Sequence, residues 1–421
     1  MSSYSTGLLK STILDSSTHR SKFRTEFKLN ENVVYMTDMK LLNLGALSAG
    51  GDQSFNGLVG AYGLIERITL YDGRTKLDEL RHFDMWKAWE NMASANSRNM
   101  DYETVQNLGS WGFEFNNAYQ TAEKDASKVA TNNLGTTAKG TLDLRKCLPL
   151  LKALSILPSS IFKNLRLEIE YQTDARNWSS VDNVDFTNLD PILKVNKVED
   201  ETAMAKLMKT FTSVSYNALE MDEYQLPALS RQNNATGGGE GIPAGTPVVN
   251  NQKINGFNGK NIMRMMIIKR SSAYTTNDFN NNGIQGVGQA GSRANQDEGL
   301  QVRVNGANVL PRTKRGANSL SALVNDTWGT WNMEPAMNLL TLRDVNLLVN
   351  NGNDMSGCAG WLGLYLGTTE PVEDLQIEYT RSALNQTHDN LKTNLAQRVV
   401  VYCEVPKSLV YKNGEYDLVY N

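Results

Sequence analysis

Leu64-Ile65-Glu66-Arg67-Ile68-Thr69-Leu70, with Asp72-Gly73 just behind it, belongs to a pattern that the chain repeats two hundred residues later. Phe55-Asn56-Gly57 precedes that run, and Phe257-Asn258-Gly259 precedes Ile262-Met263-Arg264-Met265-Met266-Ile267-Ile268. Farther along, Leu167-Glu168-Ile169-Glu170-Tyr171 returns as Leu375-Gln376-Ile377-Glu378-Tyr379. The first landmark recurs after 202 residues and the second after 208. Three or four matching residues recur by chance, but matching order at nearly one spacing is a fold-level signal. The pattern implies one β domain used twice.

Outward from that stretch, the local patterns are those of strands. Residues Ile65 to Tyr71, Asp72-Gly73 and Thr75 to Leu77 predict a strand, a tight turn and a returning strand, because glycine takes positive φ without a Cβ clash. Leu300 to Val304, Asn305-Gly306 and Asn308 to Leu310 predict a second such hairpin. Phe23, Thr25, Phe27 and Leu29 alternate with Arg24, Glu26 and Lys28, the period of a half-buried strand. Thr141 to Leu144, Leu165 to Tyr171, Phe211 to Tyr216, Glu220 to Leu226 and Trp361 to Leu366 are further strands. The C-terminus predicts strand Arg398 to Val405, a break at Pro406, strand Ser408 to Tyr411, an Asn413-Gly414 turn and strand Tyr416 to Tyr420. Helical spacing occurs over Leu77 to Met92, where Leu77, Leu80, Phe83 and Trp86 recur every third residue, and within the connector Lys194 to Thr210, over Glu199 to Lys209.

Many short strands and few helices give an all-β class, two sandwiches side by side. The expected organisation is a flexible polar arm over 1–22, one domain over 23–205 and a second over 206–421. Two Gly/Asn-rich stretches, Arg231 to Asn255 and Ser271 to Gly299, contain almost no periodic apolar residues. They are expected to be loop excursions of the second domain, since closure entropy grows slowly with loop length.

Composition excludes several tasks. With 421 residues the chain has room for two or three cores. A formal charge of -3 without a strongly basic block argues against generic nucleic-acid binding, which needs a dense Lys/Arg face. Cys147, Cys358 and Cys403 are far apart and the three histidines are scattered, so no structural zinc site is expected and a reducing compartment fits. No apolar run is long enough for a secretory h-region or a bilayer span. The sequons at Asn177, Asn234, Asn325 and Asn385 are therefore expected to be chance occurrences.

Chemistry-bearing patterns are few. His82-x-Asp84 lacks a third ligand at usual spacing and predicts a polar helix face. Gly57, Gly60 and Gly63 precede a strand, whereas a phosphate cradle needs a helix behind it; they are turn punctuation. Glu168 and Glu170 share one strand face, which suits an exposed charged surface better than carboxylates flanking a glycosidic bond. Arg312, Lys314 and Arg315 form a small basic cluster, a solvated loop or a contact for an acidic partner. Trp328, Trp331 and Trp361 are core aromatics or, if exposed, sugar-stacking platforms. No residue is assigned as catalytic, cofactor-binding or metal-ligating, and no enzymatic activity is expected.

Gly60 to Leu80 (GAYGLIERITLYDGRTKLDEL) and Leu142 to Tyr171 (LDLRKCLPLLKALSILPSSIFKNLRLEIEY) resemble segments of the double jelly-roll major capsid proteins of tailless icosahedral double-stranded DNA viruses. That family spans virophages, polinton-like viruses and nucleocytoplasmic large DNA viruses. Leu300 to Pro311 (LQVRVNGANVLP) and Val399 to Asn421 look like the matching strands of the second half. The resemblance implies two consecutive eight-stranded jelly rolls with short helices and long loop insertions. It implies a structural protein of the virion shell, assembled inside the host cell as homotrimeric, pseudo-hexagonal capsomers, with no cofactor and no small-molecule substrate. Its partners would be neighbouring capsomers, minor capsid and penton proteins, and an internal membrane or genome reached by the N-terminal arm. The two Gly/Asn-rich loops would form towers on the outer face. The alternatives are a minor capsid or vertex (penton) protein, and a carbohydrate- or receptor-binding β-sandwich module.

Overall fold

The computed structural model describes residues 9–15, 18–20, 23–29, 31–44, 60–87, 140–172, 189–228, 247–271, 284–285, 299–309, 314–315, 362–382 and 396–421. They form four antiparallel sheets, two built from residues 9–198 and two from residues 214–420.

In the first half, β1 (Leu9–Leu14), β4 (Val34–Met36), β5 (Lys40–Leu44), β8 (Gly140–Asp143), β9 (Ile156–Pro158) and β11 (Ile192–Val198) make sheet one. β11 is its centre, with β1 on one edge and β4 and β5 in succession on the other. Sheet two runs β2 (Thr18–Arg20), β3 (Arg24–Leu29), β10 (Leu165–Tyr171), β6 (Ile65–Asp72) and β7 (Thr75–Arg81). α1 (Pro149–Ala153) lies between β8 and β9, and α2 (Glu201–Met208) leads from β11 into the second half. Asp200 caps α2, its carboxylate accepting from the Ala203 amide at 2.7 Å, which satisfies one orphan donor of the first turn. The expected division between residues 205 and 206 falls inside this helix.

The second half repeats the arrangement. Sheet three has β12 (Val214–Leu226), β21 (Gln397–Lys412), β14 (Arg264–Ser271) and β19 (Leu362–Tyr365) in order, with β15 (Ile284–Gln285) on β14 and β22 (Glu415–Tyr420) on β21. Sheet four has β13 (Pro247–Lys253), β20 (Leu375–Ser382), β16 (Gly299–Val304) and β17 (Ala307–Asn308), with β18 (Lys314–Arg315) on β16. Matching pairs of neighbours equates β1, β11, β5 and β8 with β12, β21, β14 and β19. It likewise equates β3, β10, β6 and β7 with β13, β20, β16 and β17. The chain is thus two eight-stranded jelly rolls in series.

This equivalence confirms one of the two sequence echoes and corrects the other. Leu167 and Leu375 lie on the equivalent central strands β10 and β20. Leu167 faces Leu70 of β6, and Leu375 faces Val304 of β16. Leu64–Leu70 and Ile262–Ile268, by contrast, fall in non-equivalent strands, β6 of sheet two and β14 of sheet three. The strand equivalent to β6 is β16, and the pairs that close their hairpins, Asp72 with Thr75 and Val304 with Ala307, lie 232 residues apart. Phe55-Asn56-Gly57 lies outside the described residues. Loops differ in length between the halves at little entropic cost, so one offset cannot hold throughout.

Four other expectations are corrected. Leu9–Leu14, inside the expected flexible arm, is β1, paired along its length with β11. Leu9 and Ile13 are exposed, so backbone pairing rather than burial holds the strand, and burial is what a hydropathy pattern reports. Pro247–Lys253, inside the first expected loop, is edge strand β13 for the same reason, with Val249 exposed. Leu77 and Leu80 lie on β7, and helix begins only at residue 83; the turn at Gly73 (φ 58°) folds Thr75–Arg81 back onto β6 before a helix can start. Pro406 does not interrupt β21, which runs unbroken to Lys412. Its carbonyl accepts from the Asn421 amide, so its nitrogen points to that same edge, between the last β14 pair at Glu404 and the first β22 pair at Lys407. No ladder bond is lost there.

Candidate functional site

Sheet three has two buried faces, and this makes the junction between the jelly rolls. On β14 and β21, Met265, Ile267, Val399, Val401 and Cys403 point into the second sandwich's own core. The alternate residues Met266, Ile268, Val400 and Tyr402 point outward into the core cluster of the first sandwich. Successive strand residues face opposite ways, so a run apolar at every position is what a doubly covered strand requires. Leu409 of β21 joins the same cluster. Aromatic contacts fasten the rim, with Phe162 against Tyr416 at 4.8 Å and Phe211 against Tyr411 at 5.0 Å between ring centroids.

Polar groups cross the junction in three places. The Tyr402 hydroxyl lies 3.0 Å from the carbonyls of Arg81 and His82, and its ring packs on Trp86 at 5.2 Å. Tyr416 donates to Asp72 at 2.9 Å. His82 stands between Glu66 of the first sandwich and Glu223 of the second, at 2.5 and 2.9 Å. Close by, Asp78 on β7 accepts from the Leu150 amide at 2.8 Å and from the Glu79 amide at 3.0 Å. Burial pushes its carboxyl up to about 7 against the pull of those amides. Glu220 of β12 collects Lys260, Lys407 and the Tyr420 hydroxyl, each at 2.7 Å. Although burial works the other way, these three partners hold its carboxyl below the usual range. Both lysines also sit over the Tyr420 ring, which pins the C-terminal hairpin.

The outer faces of sheets two and four carry charge. Glu168 and Glu170 do share a strand face, but each is engaged by an arginine of a different neighbour, Arg24 on β3 and Arg67 on β6. Glu168 is 4 % exposed, so the expected open surface is in part covered; burial raises its carboxyl and Arg24 opposes that. Sheet four repeats the motif with Arg303 on Glu378 at 2.8 Å. Such pairs orient side chains more than they stabilise.

The remaining singled-out residues separate. His82 is at the junction and not on an open helix face. Cys147 and Cys403 are buried free thiols in different sandwiches. Lys314 and Arg315 lie on β18. Gly60 and Gly63 lie in a 3-10 turn before β6. Arg312, Gly57, Trp328, Trp331, Trp361, Cys358 and the four sequon asparagines lie outside the described residues. Among the described residues no group of three or more His, Cys, Asp or Glu side chains could hold a metal ion, and no helix is long and apolar enough to cross a membrane. The contacts of Tyr402 with Arg81 and His82, and of His82 with Glu223, were not legible in sequence, because they depend on how two distant sheets dock.

No family model and no curated protein matches the chain. Solved structures do. The chain is similar to a quasi-atomic model of the PBCV-1 virus capsid, at 10 % identity and a TM-score of 0.56, over 98 % of this chain and 97 % of that one. It is similar to the Faustovirus major capsid protein at 9 % identity and a TM-score of 0.54, over 96 % and 90 %. The mavirus major capsid protein gives 8 % identity and a TM-score of 0.51, over 97 % and 90 %. With both jelly rolls matched nearly end to end, the molecule has the all-β double jelly-roll fold of these capsid proteins.

Proposed function

We propose that this chain is a structural major capsid protein that assembles as a homotrimer into pseudo-hexagonal capsomers of an icosahedral virion shell. The observation that carries the reading is coverage: 98 % of this chain and 97 % of a PBCV-1 capsid chain share one fold. A receptor- or sugar-binding module built on one sandwich would leave half the molecule unmatched. The fused double sandwich also suits the task. Two blocks locked through a doubly covered sheet present fixed side faces, and three such chains closed by one repeated heterologous contact make a six-lobed ring. A small net charge limits repulsion among many close copies. The reading needs no catalytic step, and the carboxylates that resembled a catalytic pair are held by arginines.

In this reading the protein resides in the virion, against neighbouring capsomers and minor capsid and penton proteins. With Leu9–Leu14 committed to β1, any contact of the arm with a genome or inner membrane falls to the residues ahead of it. Light scattering on purified protein, with negative-stain images of the same sample, tests the proposal. Three chains of 46.7 kDa give about 140 kDa, seen as six-lobed discs. Pentamers would move the protein to the vertex, and a stable monomer under all assembly conditions would overturn the capsomer reading.

A further inference from the structure

His82 sits between the two jelly rolls. It ends β7 at φ 47° and is 4 % exposed. Its carbonyl is gripped twice, by the Trp86 amide at 3.1 Å and the Tyr402 hydroxyl at 3.0 Å, so the residue is fixed in place. Nδ1 lies 2.5 Å from Glu66 Oε1, on β6 of the first sandwich. Nε2 lies 2.9 Å from Glu223 Oε2, on β12 of the second.

A neutral imidazole donates from one nitrogen and carries a lone pair on the other. With a carboxylate oxygen at each nitrogen, one of the two contacts would set lone pair against lone pair. The imidazolium donates to Glu223 and sets its charge against the Glu66 carboxylate, a contact close in distance but not aligned as a hydrogen bond. We propose that His82 is a proton-operated clamp between the two jelly rolls, closed when the ring carries two protons and pairs with one carboxylate from each sandwich.

The surrounding charges suit this assignment. On β6, Glu66 also accepts from the Gln172 side chain. On β12, Glu223 has Arg398 of β21 at 3.6 Å and feels Arg81 of β7. Asp84 and Lys87, both buried, follow His82 on the next helical turn. Two anions therefore touch the ring itself, and Arg398 stands against one of them. Glu223 is held down to about 2, first by its hydrogen bond from His82.

The signs of the pH dependence follow. The Glu223 contribution is present above the ordinary carboxylate value, about 4.3, and is lost as pH falls through about 2. The unfolded chain releases its imidazole proton once pH exceeds about 6.5, whereas the clamp retains it. The His82 contribution is then full below about 6.5 and disappears as alkaline pH strips the ring.

The test is 15N NMR of the full chain labelled at histidine, with the His82 signals assigned by their loss in His82→Gln. At pH 7.5 both ring nitrogens of His82 should be protonated, and a neutral tautomer there overturns the clamp. In Glu223→Gln and in Glu66→Gln the His82 titration should move down by about one pH unit or more; an unmoved midpoint in both overturns it as well. In parallel, the urea midpoint of the wild-type chain should fall between pH 6.5 and 9 by more than that of His82→Gln. Equal slopes refute the proposal. If His82→Gln does not fold, the two glutamate variants assign the signals and the NMR arm decides alone.

Discussion

Tyr402 shows how one side chain serves two domains. Its ring fills the junction against Trp86 while its hydroxyl reaches two first-sandwich carbonyls. Removing the hydroxyl leaves the ring in place and takes away the one O–H that the two carbonyls share, while the His82 carbonyl keeps the Trp86 amide. Tyr402→Phe should therefore cost about 1 kcal/mol, the usual net worth of such a bond, read as a lower urea midpoint at unchanged slope. Asp78 illustrates the opposite balance. Two amides reach it, yet burial dominates and its carboxyl stays protonated up to about 7. Neither role can be anticipated from neighbours in sequence. Tyr402 reads as one apolar position in Val399-Val400-Val401-Tyr402-Cys403, and only the alternation of faces, fixed by the partner strand, sends it outward.

At the scale of elements, the two Asn-Gly hairpins are the most sequence-determined pieces of the fold. Asn305 and Gly306 have φ of 49° and 81°, and Asn413 and Gly414 have 55° and 86°. Two successive positive values define the turn that matches strand twist. A Cβ at Gly414 would meet nothing within 4 Å, so Gly414→Ala isolates the backbone term. It should destabilise by about 1 kcal/mol, seen as a lower melting temperature with the β spectrum retained. These hairpins, β3, β6, β10 and β20 were legible because turn chemistry and alternation are local. β1 and β13 were not, since their outward residues Leu9, Ile13 and Val249 stay in water and a ladder on a remote strand holds them. The β7 helix reading failed because Leu77, Leu80, Phe83 and Trp86 are all buried, three-residue spacing that a strand followed by a helical turn also produces. Of the junction, the apolar run Ile262–Ile268 was visible in sequence, but which sheet it would cover was not.

For the whole molecule, the doubly buried sheet three makes the halves unequal. The second sandwich owns a complete core, yet its outer face presents Met266, Ile268, Val400 and Tyr402. Expressed alone, residues 210–421 should form sheet but expose this patch, bind a hydrophobic dye and aggregate, while the full chain does neither. A soluble, monomeric, dye-silent fragment would show that the junction is not needed to shield it. The same face bears on relatives. A one-sandwich cousin of this chain that lives as a monomer is expected to bear charged or hydroxylated residues at those four positions.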